Sequence, residues 1–298
     1  MGKTVSERLN QRLRRTQDSE VASGVTQCGV VLREIDNHVL VEDLHKKVLD
    51  KIGVNKKYHC YFAVMMGKRK PTQKLKLTDY IPSSCKDLFL YKWCFDLDIE
   101  NQLLEDDVAC DLIYYQARHD LKVGHLTASI EEQIALDELS SLNCSKSAFV
   151  RLCQRLAGYN IVVVDNCFLS KQSSIFTNHL GTPCKVTLSQ KGLCIITDED
   201  SVSVLWSRVK HWSVDHTGAV FTYTVLHKDD QANNTFREEK RICVESKRLD
   251  DLLSTTHDIV KSIQKNCSQL AFFGSMINVE PDGTKVWTNP LFGYGSLT

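Results

Sequence analysis

Asp106–Leu126 reads DDVACDLIYYQARHDLKVGHL, and the interpretation of this stretch decides the fold. Wound at 3.6 residues per turn, Asp111, Arg118 and Lys122 fall in one narrow arc, while Val108, Ala109, Leu112, Ile113, Ala117 and Leu121 spread over most of the rest. A helix apolar on so many sides is expected to be central and buried. The acidic run Glu105, Asp106, Asp107 suits the positive end of its dipole, Lys122 suits its last turn, and Gly124 offers a left-handed stop.

Upstream, the pattern predicts a strand over Cys28–Ile35, a helix over Val41–Ile52 with Leu44, Val48 and Ile52 on one face, and strands over Tyr58–Met66 and Leu88–Phe95. One helix over a small sheet in this order resembles a ubiquitin-like lobe. The basic turn Lys68-Arg69-Lys70-Pro71 between the strands reads either as a solvated loop or as a phosphoinositide contact. Downstream, Ser129 with Glu132 makes a capping box leading into Ile130, Ile134, Ala135, Leu139 and Leu142. Ser145 opens another helix carrying Phe149, Leu152, Cys153 and Leu156, with Gly158 at its end, so a compact helical lobe is expected.

From Ile161, and above all from Cys184 to Val244, short alternating runs follow one another, separated by turns such as Gln190-Lys191-Gly192 and His216-Thr217-Gly218. An amphipathic helix then carries Leu249, Leu252, Leu253, Thr256, Val260 and Ile263, with Ser246 as its cap. Many strands closed by one helix suggest a barrel of the pleckstrin-homology (PH) or phosphotyrosine-binding (PTB) type. Residues 270–298 have little periodicity and read as a tail.

Composition excludes several classes of function. The chain has 298 residues, 42% of them hydrophobic, and its 37 basic and 37 acidic residues leave no net charge to attract nucleic acid. Its apolar runs are too short for a membrane span, so a soluble intracellular protein is expected. The 12 cysteines are scattered without a CxxC pair, so no zinc is expected, and the Asn-x-Ser/Thr sites have no secretory signal beside them. There is no G-x-S-x-G, H-E-x-x-H, phosphate loop or nucleotide fingerprint. No catalytic residue, cofactor or metal site is therefore expected.

Residues 1–23 form a basic leader with Lys3, Arg8, Arg12, Arg14 and Arg15 around Val5, Leu9 and Leu13. Met1-Gly2-Lys3-Thr4-Val5-Ser6 fits the N-myristoylation pattern at Gly2, and the arginines supply the second membrane signal that a single acyl chain needs. An ordinary charged terminus is the competing reading.

The order of lobes resembles the FERM module over roughly residues 24–268. Leu88-Phe89-Leu90-Tyr91-Lys92-Trp93-Cys94-Phe95-Asp96, Asp111 to Ala117 with Asp120 and Gly124, Phe149 to Cys153 with Gly158-Tyr159, and Arg208 to Trp212 are similar to the FERM-like region of the endosomal cargo-sorting nexins. The implied fold is α+β and multi-lobed: a FERM-like cloverleaf of a ubiquitin-like lobe (24–97), an all-helical lobe (98–172) and a PH/PTB-like barrel (173–268), between the leader (1–23) and the tail (269–298).

The resemblance implies a non-enzymatic cargo adaptor, cytoplasmic and peripheral on endosomal or plasma membrane, whose third lobe takes NPxF or NPxY peptides beside a sheet edge. Trp212, Ser213 and Val214 match the receiving strand, and Val260 and Gln264 the facing helix, with Ile263 the alternative to Gln264. Trp212 and Val260 equally suit a core. The phox-homology domain of those nexins has no counterpart here, and the acylated leader is the expected tether to an anionic membrane.

The tail itself contains Trp287-Thr288-Asn289-Pro290-Leu291-Phe292, an NPxF sequence in which Phe292 is expected to drop into a pocket after the turn. Its expected partner is its own third lobe or another PTB-type protein, against the reading of a plain terminus holding a turn dipeptide. Two other functions compete: a FERM scaffold that binds a small GTPase or receptor tail at the cell cortex or junctions, and a lipid-binding lobe using Lys185, Lys191, Arg208 and Lys210.

Overall fold

The computed structural model describes residues 22–26, 29–33, 38–67, 71–83, 85, 87–141, 145–175, 180–228, 237–266 and 277–292. Residues 1–21 of the basic leader, Gly2 among them, the turn Lys68–Lys70 and Leu142 lie outside these residues. The chain divides into two compact units, Met1–Tyr159 and Asn160–Thr298.

In the first unit, β1 (Ala22–Thr26), β2 (Gly29–Arg33), β3 (Phe62–Gly67), β4 (Pro71–Lys74) and β5 (Asp87–Lys92) form one sheet in the order β1-β2-β5-β3-β4. The side chains of β3 and β5 alternate between two faces. Phe62, Val64, Leu88 and Leu90 join the cluster that also holds Val41, Leu44, Val48, Leu49 and Ile52 of α1 (Val41–Ile52), whereas Ala63, Met65 and Phe89 form a small patch with Tyr91 and Trp93. Gly53 ends α1 at φ 87°, the left-handed conformation that glycine adopts at low cost.

Four helices follow: α2 (Leu97–Leu103), α3 (Asp107–Lys122), α4 (Ile130–Ser141) and α5 (Lys146–Cys153). The stretch Asp106–Leu126 supplies α3. The Asp106 carboxylate caps it by accepting from the Val108 and Ala109 amides at 3.1 and 2.9 Å, and Gly124 turns left-handed at φ 77° after its end.

The α3 residues Ala109, Leu112, Ile113 and Ala117 join the same apolar cluster as the sheet and α1, so the β and helical parts of this unit share one core. Two polar groups of α3 tie it to β5: Gln116 Oε1 accepts the Lys92 amide at 2.7 Å, and Asp120 Oδ1 accepts the Tyr91 hydroxyl at 2.6 Å. Asp111, one of the three charges on the narrow arc, is buried and pairs with Lys146. Burial pushes its carboxyl up against the opposing effect of that lysine.

The capping box at Ser129 forms, with Ser129 N donating to Glu132 Oε2 at 2.8 Å and Glu132 N donating to Ser129 Oγ at 3.2 Å. The apolar face expected on α4 does not. Ile130 and Ile134 are 78% and 55% exposed, while Leu136 is buried. The helix is apolar on opposite sides, and within this unit the side bearing Leu136 and Leu139 is the one packed on the core.

The second unit is a nine-stranded antiparallel sheet with one helix. Its strands are β6 (Val162–Leu169), β7 (Pro183–Leu188), β8 (Gly192–Ile196), β9 (Ser201–Leu205), β10 (Val209–Val214), β11 (Val220–Lys228), β12 (Arg237–Ser246), β13 (Ile277–Val279) and β14 (Lys285–Thr288), in the order β13-β14-β10-β11-β12-β6-β7-β8-β9. Helix α6 (Leu249–Asn266) lies between β12 and β13 in sequence. Strand β6, assigned to the helical segment in the sequence division, pairs here with β12 and β7.

Where a PH/PTB-like barrel was expected, the described residues show no closed one: β9 and β13 stand at the two ends of the sheet, and no ladder joins them. Part of the tail is not irregular either, because β13 and β14 form a hairpin that extends the sheet beyond β10. Strand length hid it. Both strands are too short for periodicity to register, but Pro281-Asp282-Gly283 between them is a turn sequence, and Gly283 N donates to Glu280 O at 2.9 Å.

Candidate functional site: the tail strand on β10

The two faces of β10 are set by alternation: Trp212 is buried, while His211 and Ser213 are partly exposed on the other side. Strand β11 occupies one edge of β10 and the tail strand β14 the other. The tail register pairs His211 with Thr288, Trp212 with Trp287, Ser213 with Val286 and Val214 with Lys285. The ladder to β11 is irregular between Val209 and His211, and the Lys210 carbonyl at this bulge accepts the Asn289 amide at 3.1 Å.

Among the described residues of the tail, Asn289 is the most deeply buried, at 2% exposure. Its Nδ2 donates to the Trp206 carbonyl at 2.8 Å and the Val209 carbonyl at 2.7 Å, and its Oδ1 accepts the Leu291 amide at 3.0 Å. These two carbonyls flank the single 3-10 turn Trp206–Arg208 that leads into β10, and that turn is held in place by Trp206 Nε1 donating to Ser189 O at 2.8 Å. Phe292 N donates to Asn289 O at 3.2 Å, closing a turn around Pro290. Only an amide side chain can both donate twice and accept once in this geometry.

Under α6 the facing aromatics form a row. Trp287, Trp212 and Tyr223 are neighbours across β14, β10 and β11, exposed by 5%, 1% and 0%. His257 of α6 lies between the two tryptophans, its ring centre 5.6 Å from that of Trp212 and 5.4 Å from that of Trp287. Trp212 Nε1 donates to His257 Nε2 at 3.1 Å, so this nitrogen must be unprotonated. Burial lowers the pKa of His257, opposed by the charge of Asp258. The Tyr223 hydroxyl shares a hydrogen bond of 2.8 Å with Thr256, one residue before.

Trp212, Ser213 and Val214, read from sequence as the receiving strand, therefore meet Trp287, Val286 and Lys285. On α6, Ile263 falls with Leu249, Leu252, Thr256, Ile259 and Val260 on the buried stripe, while Gln264 falls on the flank that carries His257. Val260 is buried in that core stripe at 3% exposure. His257 was missed because a lone histidine on an amphipathic helix carries no signal of its own. At the end of the motif Leu291 is buried at 3% exposure, and Phe292 is half-buried.

Among the described residues, no three His, Cys, Asp or Glu side chains gather as a metal would need, and no helix is long and apolar enough to cross a membrane. Burial raises the thiols of Cys94 and Cys153 to about 12 and that of Cys110 to about 11.

No family model matches the sequence. Mouse sorting nexin-31 is 25% identical over 213 residues, which cover 63% of this chain and 46% of the nexin, so the chain spans about half the length of that relative. The crystal structure of the FERM and C-terminal domain complex of Drosophila Merlin superposes with a TM-score of 0.57 at 11% identity, over 84% of this chain and 98% of that one. The MyTH4-FERM MF2 domain of Dictyostelium discoideum myosin VII gives 0.50 at 12% identity, over 86% of this chain and 61% of that one. The chain thus has a fold like that of FERM domains, and its sequence is similar to that of mouse sorting nexin-31.

Proposed function

We infer that this protein is a non-enzymatic, membrane-associated adaptor in endosomal cargo sorting or recycling. Its second unit acts as a PTB-type lobe that takes NPxF or NPxY sequences by strand addition to β10, and its own tail competes for that edge. The observation that carries this reading is the pairing of Lys285–Thr288 along His211–Val214, with the Asn289 side chain held by two backbone carbonyls and one amide. Main-chain bonds to an open edge accept any extended peptide, while the Asn289 seat selects for sequence.

Tethering the tail by residues 267–276 gives it a roughly millimolar effective concentration, enough to exclude a weak external ligand. The Merlin structure holds a FERM domain in complex with a C-terminal domain. In this protein the segment on the sheet edge is its own tail strand. The three-lobed arrangement belongs to this reading, as does attachment to membrane through Gly2 and the basic leader.

Panning the full chain carrying Asn289→Ala, which loosens its own tail, against immobilised NPxF and NPxY peptides, with Asn→Ala peptides and GTP-loaded small GTPases in parallel, tests the assignment. Retention by the asparagine-containing peptides alone is the expected outcome. Retention by the GTPases and by no peptide would replace the adaptor reading with that of a cortical scaffold.

A further inference from the structure

We propose that the residue after proline, Leu291, rather than Phe292, is the side chain through which this site discriminates among Asn-Pro sequences. Its ligands are then extended peptides containing an aromatic residue, any residue, Asn-Pro and a branched aliphatic residue. The proposal rests on the peptide-binding reading above and narrows its ligand class.

Three features of the turn place the discrimination there. Asn289 Oδ1 accepts the Leu291 amide at 3.0 Å, which fixes the backbone direction at that residue. The side chain that follows is 3% exposed, buried more deeply than Trp287 at 5%, whereas Phe292 is only half-buried. The contacts to Asn289 are made by backbone groups of Trp206, Val209 and Lys210, so they select the asparagine and nothing beyond it. Selection beyond asparagine must come from buried side chains, and a fully buried leucine is worth roughly 10- to 100-fold in affinity over a small residue. A charged residue in the same seat would lose its hydration, a larger penalty.

The test uses the full chain carrying Asn289→Ala, which loosens the tail's own hold, and fluorescent synthetic peptides of residues 284–292. All peptides compete with the same tail, so ratios of their affinities are independent of it. Leu291→Ala in the peptide is expected to weaken binding at least about tenfold and Leu291→Asp further, whereas Phe292→Ala stays within about threefold. A larger loss for Phe292→Ala than for Leu291→Ala overturns the proposal while leaving the peptide site intact. If the unsubstituted peptide does not bind, or an Asn289→Ala peptide binds equally well, the peptide-site reading fails and the proposal with it.

A second measurement needs no peptide. In the otherwise unsubstituted chain, amide exchange over residues 285–291 is expected to accelerate with Leu291→Ala and to stay near wild type with Phe292→Ala. The reverse order contradicts the proposal.

Discussion

Trp287 stands directly across from Trp212 in the tail ladder, and the imidazole of His257 lies against both rings. A tail strand and a helix of the same unit thereby share one buried contact. Docking of the tail depends on the aromatic row as well as on main-chain pairing, and the row and the Asn289 seat can be disturbed separately.

Asn289→Ala removes three hydrogen bonds and leaves the Trp206 and Val209 carbonyls buried without this donor. The expected cost is about 2–4 kcal/mol of docking free energy. Asn289→Asp is expected to cost more, because a carboxylate would face two carbonyl oxygens. Amide exchange over residues 285–292 reads both, and wild-type protection in either variant contradicts the geometry.

The docked tail is expected to loosen in mild acid. His257 must be neutral at Nε2 to accept from Trp212, and burial lowers its pKa in the docked state. Below the ordinary histidine value of about 6.5 the undocked state binds more protons, so docking is at full strength above that pH. It weakens as pH falls toward the lowered value and levels off beneath it. His211 titrates in the same direction on the other face, lowered first by burial and then by Lys210. Fluorescence of Trp212 and Trp287, followed from about one pH unit above the ordinary histidine value of about 6.5 to about 1.5 units below it, should show the transition. The transition should vanish in His257→Gln and survive in His211→Gln.

Much of the fold was legible in sequence where periodicity was long and capped. Asp106 and Gly124 mark the ends of α3, and Leu44, Val48 and Ile52 mark the buried face of α1. Two things were not legible. The choice between the Ile134 and Leu136 sides of α4 depends on its neighbours and not on its own pattern. The hairpin β13–β14 is too short for alternation to register, so Trp287-Thr288-Asn289-Pro290 could be recognised as a motif but its register on Trp212 could not be derived. His257 is visible only once the tail is docked.

Ile113 tests the shared core of the first unit. It is 1% exposed, and Ile113→Ala should destabilise that unit by about 2–5 kcal/mol, with Ile113→Asp leaving it largely unfolded. Urea denaturation followed by circular dichroism reads the loss; a soluble, cooperative Ile113→Asp variant would count against α3 as the centre of this core.

A buried ion pair holds the same unit. Lys92 Nζ donates to Glu100 Oε2 at 2.7 Å and to the Tyr159 hydroxyl at 3.3 Å, while Tyr159 and Gln154 donate to Glu100 Oε1, the latter at 3.2 Å. Burial raises the Tyr159 hydroxyl well above its ordinary pKa, assisted by the Glu100 charge. Lys92→Met leaves that carboxylate uncompensated and should cost about 3–5 kcal/mol. Adding Glu100→Leu should recover part of the loss, and purely additive effects in the double-mutant cycle would refute the coupling.

The most direct test of self-occupancy is the dissociation constant of an external NPxF peptide for the full chain, for Asn289→Ala and for a chain lacking residues 286–298. Tethering at roughly millimolar effective concentration predicts that both changes tighten external binding, the deletion by at least about tenfold. Equal affinity for all three proteins would mean that the tail strand on β10 does not compete with the peptide, and the account of this site would be wrong.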